Sequence, residues 1–138
     1  MWSNDLIEGN LFEDVVTEML RKKHPDVHRS SGYEPGYDIK AGPLTIECKY
    51  DRLAGSTENI AIEIAYKSKP SGICTTQATH WVLKYYKQSY LVISVNELRQ
   101  IVRNTKYRRV RGGDGFNSLL VLVPVRDLRP YHDDSVMN

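Results

Sequence analysis

Apolar side chains recur at helical spacing between residues 9 and 22, and this pattern predicts an amphipathic helix near the N-terminus. Asn10 is of a residue type that caps helices, so we expect the helix to begin beside it. The face predicted to lie on a sheet comprises Leu11, Phe12, Val15, Val16, Met19 and Leu20.

Two short strands are predicted over residues 36–50, with a tight turn at Ala41-Gly42-Pro43. The second strand alternates, with Ile46, Cys48 and Tyr50 on one face and Thr45, Glu47 and Lys49 on the other. Because alternate side chains of a strand share a face, Glu47 and Lys49 point the same way. Pairing about the turn places Asp38 roughly opposite Glu47.

The rest of the chain alternates between strand and helix patterns. A strand over 59–66 has three isoleucines on one face and Glu63 on the other. Thr75 or Thr76 is expected to cap a short helix that reaches Trp81, and Ser94 to cap a helix that ends near residue 104. Further predictions are a polar loop over 51–58, a loop over 67–72, strands over 81–86, 89–95 and 118–125, and a frayed polar tail from residue 129.

This order of elements predicts an α/β fold in which a central mixed β-sheet is flanked by helices. The apolar strand over 118–125 is predicted to be either a covered central strand or an edge for association. With 138 residues, 41% of them hydrophobic, the chain is expected to form a single domain over residues 1–138.

Composition indicates the cellular location expected for the protein. No apolar run has the length of a membrane span, and no signal-peptide pattern begins the chain, so we expect a cytoplasmic protein with no membrane partner. The two cysteines, Cys48 and Cys74, and the four histidines lack the spacing of a disulfide framework or a zinc site.

The charges are unevenly distributed, although the net charge is only +2. Residues 1–18 contain acids and no base, whereas residues 84–111 contain lysines and arginines with Glu97 as their only acid. Such a basic segment is typical of proteins that bind a nucleic-acid backbone, and its densest run, residues 106–113, is predicted to be a phosphate-gripping loop. A solvated charge run explains any single one of these residues equally well.

The predicted hairpin carries the candidate chemistry. Asp38 and Glu47 supply hard oxygen donors of the kind that bind magnesium, and Lys49 adds a positive charge beside them. Phosphodiester hydrolysis needs these parts, because a metal ion acidifies water and cations neutralise the charge that develops on phosphate. Taken alone, Glu-x-Lys is more often an exposed hairpin face with a salt bridge.

An acid followed on the next strand by Glu-x-Lys resembles the core of the PD-(D/E)XK nuclease superfamily, with Tyr37 in place of the family's proline. The preceding helix adds to the resemblance, because Gly9 and Glu13 fit the family's Gly-x-x-x-Glu pattern. Gln77 and Trp81 are similar to a Gln-x-x-x-aromatic helix of some exonuclease-like branches. The resemblance covers roughly residues 9 to 81.

The resemblance implies a restriction-endonuclease-like core with Mg²⁺ as cofactor and Mn²⁺ as its substitute. The catalytic residues would be Glu13, Asp38, Glu47 and Lys49. The metal ligands would be Asp38, Glu47 and the backbone carbonyl of Cys48, with Glu13 and Glu63 as further candidates. Lys49 would stabilise hydroxide, because an amine flanked by carboxylates stays charged.

DNA is the expected partner. The residues expected to bind it are Lys84, Lys87, Lys106, Arg108, Arg109 and Arg111, with Gln77 as a further candidate. We expect a structure-directed deoxyribonuclease of repair, recombination or replication, which would need a homodimer to cut two strands. The alternative is a DNA-binding accessory protein that keeps the fold without turnover, and an anion-binding or structural protein ranks last. Exonuclease or endonuclease mode, and DNA or RNA as substrate, stay open.

Overall fold

The computed structural model describes residues 4–30, 36–87 and 89–138. The α-helices are α1 (Asn4–Arg21), α2 (Ala54–Thr57), α3 (Val95–Val102) and α4 (Val125–Leu128). The strands are β1 (His28–Arg29), β2 (Ile39–Ala41), β3 (Leu44–Tyr50), β4 (Asn59–Tyr66), β5 (Lys69–Pro70), β6 (His80–Tyr86), β7 (Ser89–Ser94), β8 (Arg108–Gly112) and β9 (Ser118–Pro124). Short 3₁₀ helices lie at Gly72–Cys74, Asp114–Phe116, Arg129–Tyr131 and Asp134–Val136. The fold is α/β, as predicted.

The strands form two sheets, not the single central sheet predicted. Sheet A has the order β1-β2-β3-β6-β7 and is mixed, because β3 and β6 run parallel while its other pairs are antiparallel. Sheet B is antiparallel throughout, in the order β5-β4-β9-β8. The strand at 118–124 therefore lies between β4 and β8, which makes it a central strand and not an association edge.

The β2–β3 hairpin forms as the sequence predicts. Its two-residue turn has Gly42 at φ 58° in the first central position, where glycine is favoured, and Pro43 in the second. The turn fixes the register, in which Ile39 pairs with Ile46. Regular pairing ends at Ile39, and the Asp38 N–H donates to Ile46 O at 2.8 Å, so Asp38 does not continue the register that would set it directly opposite Glu47.

Helix α1 begins earlier than the sequence predicts. Asn10 lies inside the helix and does not cap it, because an interior asparagine costs only tenths of a kcal/mol and does not stop a helix that continues on both sides. Phe12, Val16 and Leu20 are buried against sheet A, whereas Leu11 is 58% exposed and Val15 54% exposed. The buried stripe is thus narrower than predicted.

Sheet A is covered on both faces, so the molecule has three layers. One face packs against α1 and the C-terminal residues in a cluster that includes Ile46, Val82 and Val92. The other packs against sheet B, α3 and α4 in a second cluster that includes Trp81, Ile93 and Leu98. The predicted fraying of the tail is wrong, because Val136 and Met137 are buried and the Asp133 N–H donates to Val92 O at 2.8 Å.

Tertiary pairing overrides three other local predictions. No helix spans residues 75–81, since parallel pairing with β3 extends β6 from His80 and the Ala78 N–H closes a turn on Thr76 Oγ1 at 3.2 Å. Residues 108–112 form strand β8 by pairing with β9, so the predicted phosphate-gripping loop is largely a strand. The loops at 51–58 and 67–72 contain the one-turn α2 and the short β5.

Other local predictions are confirmed. Strand β4 has the predicted bounds, and β6 and β7 form close to the predicted bounds and pair with each other in antiparallel orientation. Ser94 caps α3, since its Oγ accepts from the Glu97 N–H at 3.2 Å, although the helix ends at Val102. Within the described ranges, no helix is long and apolar enough to cross a membrane.

Candidate active site

Asp38 stands at the start of the hairpin, where backbone pairing fixes its position. Its N–H donates to Ile46 O at 2.8 Å, and its side-chain Oδ2 accepts from the Cys48 N–H at 2.8 Å. The carboxylate is therefore held against β3, on the stretch that carries Glu47 and Lys49. This geometry follows from the two-residue turn.

Glu47 is held at both oxygens. Its Oε2 lies 2.8 Å from Lys49 Nζ, and its Oε1 accepts from Thr76 Oγ1 at 2.9 Å. The Glu47 side chain is 14% exposed and that of Lys49 is 48% exposed, so the acid sits beneath the amine. The salt bridge left open by the Glu-x-Lys spacing is thus present, within a half-buried acidic site.

Two acids of the site, Asp38 and Glu13, have raised pKa values. Burial raises the pKa of Asp38, the Glu47 charge raises it further, and the Cys48 N–H, Lys49 and Arg29 act in the lowering direction. Burial also raises the pKa of Glu13, with the Asp38 charge as the next cause. Glu13, Asp38 and Glu47 therefore belong to one electrostatic cluster.

Glu13 projects from α1 into an ion pair that sequence patterns did not indicate. Arg29 on β1 donates from Nη2 to Glu13 Oε1 at 2.5 Å and from Nη1 to Asp14 Oδ1 at 2.5 Å. Such an arginine fork holds a carboxylate in a fixed orientation. Arg29 could not be found from spacing, because it reaches Glu13 only when β1 joins sheet A beside the helix.

The donor set fits a hard divalent cation bound through two carboxylates. Among the described residues, no group of three or more His, Cys, Asp and Glu side chains is placed to hold a metal ion. Magnesium needs only one or two carboxylates, because it keeps several waters, and Asp38 and Glu47 provide that pair. Cys48 lies between Glu47 and Lys49 with its side chain packed toward α1, and burial raises the pKa of its thiol well above the usual value. The thiol is therefore not a metal ligand, which leaves the backbone carbonyl as the predicted donor.

Two residues that support Glu47 were missed as site residues. The sequence predicts Thr76 only as a helix cap, but its hydroxyl donates to Glu47 Oε1. The Trp81 Nε1–H donates to Thr76 Oγ1 at 3.4 Å. Arg99, counted in the basic segment, donates from Nε to Ile73 O and from Nη2 to Thr76 O, each at 2.8 Å. Arg99 thus fixes the backbone that presents Thr76.

Glu63 faces the same cleft as Lys49 but is held by hydroxyls. The cleft has a volume of about 440 Å³ between the two sheets, and its lining includes Lys49, Glu63, Trp81 and Lys84. Ser71 Oγ donates to Glu63 Oε2 at 3.0 Å, and Ser118 Oγ donates to Oε1 at 2.7 Å. Glu63 is therefore a wall of the cleft and lies on the other sheet from the Asp38–Glu47 pair.

The candidate DNA-binding residues lie at four places in the structure. Lys84 lines the cleft, with Nζ 4.5 Å from the Tyr50 ring centroid. Arg108, Arg109 and Arg111 are exposed on β8, which β9 separates from β4, and Lys106 lies just before that strand. Lys87 follows β6, with Nζ 5.3 Å from the Tyr86 ring centroid. Gln77 is exposed in the loop before β6 and does not share a helix with Trp81.

Comparisons of the chain with models of protein families, with curated proteins and with solved structures gave no match. The resemblance to the nuclease superfamily therefore rests on the residues of this chain, and the family stays a proposal.

Proposed function

We propose that the protein is a magnesium-dependent deoxyribonuclease of the PD-(D/E)XK type that hydrolyses phosphodiester bonds in DNA of particular structure. The observation that supports this proposal is the hairpin itself. Asp38 Oδ2 accepts from the Cys48 N–H at 2.8 Å, next to Glu47 on β3, and Lys49 Nζ lies 2.8 Å from Glu47 Oε2. Two carboxylates and an ammonium on one short segment are the groups that metal-assisted hydrolysis requires.

In this proposal Asp38 and Glu47 hold the magnesium ion, with the Cys48 carbonyl as a further donor. The bound ion supplies an acidified water and neutralises charge on the scissile phosphate. Lys49 turns its ammonium from Glu47 to the attacking oxygen or the phosphate, where a positive charge stabilises the transition state. Its side chain is 48% exposed, which leaves it room to turn.

Glu13 is proposed as the residue that completes the acidic cluster. Its ion pair with Arg29 orients the carboxylate, and the charge of Asp38 raises the pKa of Glu13 across the space between α1 and the hairpin. Lys84 is also in the lining of the cleft, with its Nζ 5.6 Å from the Phe12 ring centroid of α1, and we propose that it contacts the substrate backbone. The basic side chains of β8 would bind phosphates farther along the DNA.

The second candidate is a DNA-binding accessory protein without turnover. Two observations favour it: Lys49 is closed onto Glu47, and no metal-binding group of three acids occurs in the part of the chain that the structure describes. Both candidate functions involve DNA binding. The first proposal also includes a cytoplasmic location and a homodimer that cuts two strands. Magnesium-dependent cleavage separates them.

The test is cleavage of linear, nicked, flapped and four-way-junction DNA with magnesium and with a chelator. We expect magnesium-dependent cleavage by the wild type and its loss in Lys49→Ala with DNA binding retained, since removing one transition-state group costs a factor of about 10² or more. Glu13→Gln should lower the rate, whereas Glu18→Gln, an exposed acid on the same helix, should not. Cleavage that survives both Asp38→Ala and Glu47→Ala would exclude this mechanism.

A further inference from the structure

One end of sheet B carries an exposed cluster of aromatic and basic side chains that the proposed chemistry does not use. We call Tyr66, Lys67, Lys69 and Phe116 the platform. Backbone pairing brings them together: Tyr66 and Gly112 both pair with Ser118, and the Lys67 N–H donates to Asn117 O at 2.9 Å. The platform therefore spans the ends of β4 and β8 and the start of β9.

Phe116 is held outward at a cost to the fold. Its side chain is 71% exposed, although it is a large hydrophobic residue. Its φ is 56°, in the left-handed region that a bulky residue rarely adopts, and its N–H closes a turn onto Gly113 O at 3.1 Å. Neither exposure nor strain stabilises the fold, so the position of this ring is explained better by a contact with another molecule.

The other members supply a second ring and the positive charge. Tyr66 is 44% exposed, and Lys67 Nζ lies 5.6 Å from the centroid of its ring. Lys67 and Ser68 have φ values of 48° and 67°, which make the two-residue turn that projects Lys67 and leads into Lys69. Lys69 pairs with Tyr66, so its side chain lies on the same face of the sheet as that ring. Rings flanked by cations match the chemistry of bases linked by phosphates.

The platform adjoins the cleft of the candidate active site. Ser118, which pairs with Tyr66, donates from Oγ to Glu63 Oε1 at 2.7 Å. Glu63 lines the same cleft as Lys49. The platform therefore lies next to the side of the cleft that Glu63 forms.

We infer that the platform binds an unpaired segment of the DNA substrate, with bases stacked on Phe116 and Tyr66 and phosphates paired with Lys67 and Lys69. This inference rests on the proposed function and names the substrate class as DNA with a single-stranded part. Stacking selects unpaired bases, because the faces of paired bases are covered within a duplex, whereas phosphate contacts alone do not separate the two forms.

The test is equilibrium binding in chelator, where no cleavage occurs, of a fluorescent oligothymidylate and a blunt duplex of equal length, followed by anisotropy. We expect Phe116→Gly, in which glycine accepts the φ of 56°, to bind the single strand at least about fivefold more weakly and the duplex unchanged. Phe116→Trp should retain the affinity, because the ring is kept. Tyr131→Ala, which removes a 41% exposed ring outside the platform, is the matched control and should bind like the wild type.

The salt dependence of single-strand binding tests the role of the two lysines. The Lys67→Ala/Lys69→Ala variant should lower the slope of log affinity against log salt by about 1.4 for the single strand, since each phosphate contact contributes about 0.7. An unchanged slope would remove the lysines from the inference.

Three results would overturn the inference: single-strand binding by Phe116→Gly equal to that of the wild type, an equal loss for single strand and duplex, or conversion of a wild-type dimer to monomers by Phe116→Gly in sedimentation. The last would make the platform a contact between copies. Absence of cleavage on every substrate would reject the proposed function without touching these binding results. Cleavage with unchanged binding by Phe116→Gly would reject the platform alone.

Discussion

At the scale of the residue, the site is governed by a carboxylate that is costly to ionise. Burial is the largest cause of the raised pKa of Asp38, and the charge of Glu47 adds to it. The neighbouring groups that favour the charged form, namely the Cys48 N–H, Lys49 and Arg29, do not fully compensate. A divalent cation between Asp38 and Glu47 would relieve this cost, which links metal binding to stability.

This cost predicts the effect of Asp38→Asn on stability. A raised pKa means that the folded chain holds the Asp38 proton more tightly than the unfolded chain, so the stabilisation is fully present below the ordinary value of 3.8 and is lost as pH rises through the folded value. Without metal at neutral pH, Asp38→Asn should therefore melt at a higher temperature than the wild type, and the difference should vanish below pH 3.8. Thermal unfolding across the acid and neutral range measures this.

The matched control is Glu18→Gln, an exposed carboxylate that should leave the melting curve unchanged. Magnesium should raise the melting temperature of the wild type and not that of Asp38→Asn. A lower melting temperature of Asp38→Asn in chelator at neutral pH would mean that the charged carboxylate is net stabilising.

At the scale of the element, the loop before β6 is an unusual support for a site because it has little regular structure. Arg99 of α3 donates to Ile73 O and Thr76 O, each at 2.8 Å, and so bonds carbonyls of a segment that does not form a helix. Thr76 in turn donates to Glu47. Helix α3 thus positions an acid that it does not touch.

Arg99→Ala should destabilise the protein by about 2 kcal/mol in urea unfolding, because two charge-assisted hydrogen bonds to backbone carbonyls are lost. It should also weaken manganese binding at Asp38 and Glu47, measured by calorimetry, since Thr76 is no longer fixed. Arg99→Lys should rescue only part of both effects, because an ammonium does not reproduce the fork of a guanidinium.

Arg103→Ala is the control, since Arg103 is an exposed residue just after the same helix and should change neither quantity. Manganese binding that is unchanged in Arg99→Ala would show that the loop does not position Glu47.

The elements show which features a single sequence determines. The β2–β3 hairpin was predictable because its turn and register are local, and so was the shared face of Glu47 and Lys49, whose charged groups lie 2.8 Å apart. The position of Asp38 followed less closely, because regular pairing ends at Ile39 and the Asp38 N–H donates to Ile46 O. The helix predicted to reach Trp81 failed because parallel pairing with β3 claims the residues from His80 onward. Arg29 and Thr76 were missed for the same reason, since both reach the site only through long-range packing.

At the scale of the whole molecule, the C-terminal residues close the edge of sheet A. Strand β7 lies at that edge, and the tail satisfies it on both backbone groups of Val92: the Val92 N–H donates to His132 Nδ1 at 2.9 Å, and Val92 O accepts from the Asp133 N–H at 2.8 Å. Val136 and Met137 then bury their side chains beside α1. The tail therefore belongs to the same layer as α1, and it protects the β7 edge of sheet A from pairing with another chain.

Deletion of residues 132–138 should lower the free energy of unfolding by about 3 kcal/mol or more, because two buried apolar side chains and the backbone bonds to Val92 are lost. The shortened chain should also self-associate, because β7 presents unpaired backbone groups. Urea unfolding and size-exclusion chromatography measure the two effects. Deletion of Asn138 alone, an exposed residue, is the control, and stability equal to wild type after the longer deletion would contradict the structural role of the tail.

The hydroxyl of Thr76 has a single proton and two acceptors within reach. Its oxygen already accepts from the Ala78 N–H and the Trp81 Nε1–H, so the proton must go either to Glu47 Oε1 at 2.9 Å or to Gly36 O at 3.0 Å. A charged Glu47 attracts the proton, whereas a cation bound to Glu47 competes with it and favours Gly36. Rotation of the Thr76 hydroxyl thus makes or breaks the hydrogen bond to Gly36 O, in the backbone just before Asp38, according to whether Glu47 binds a cation.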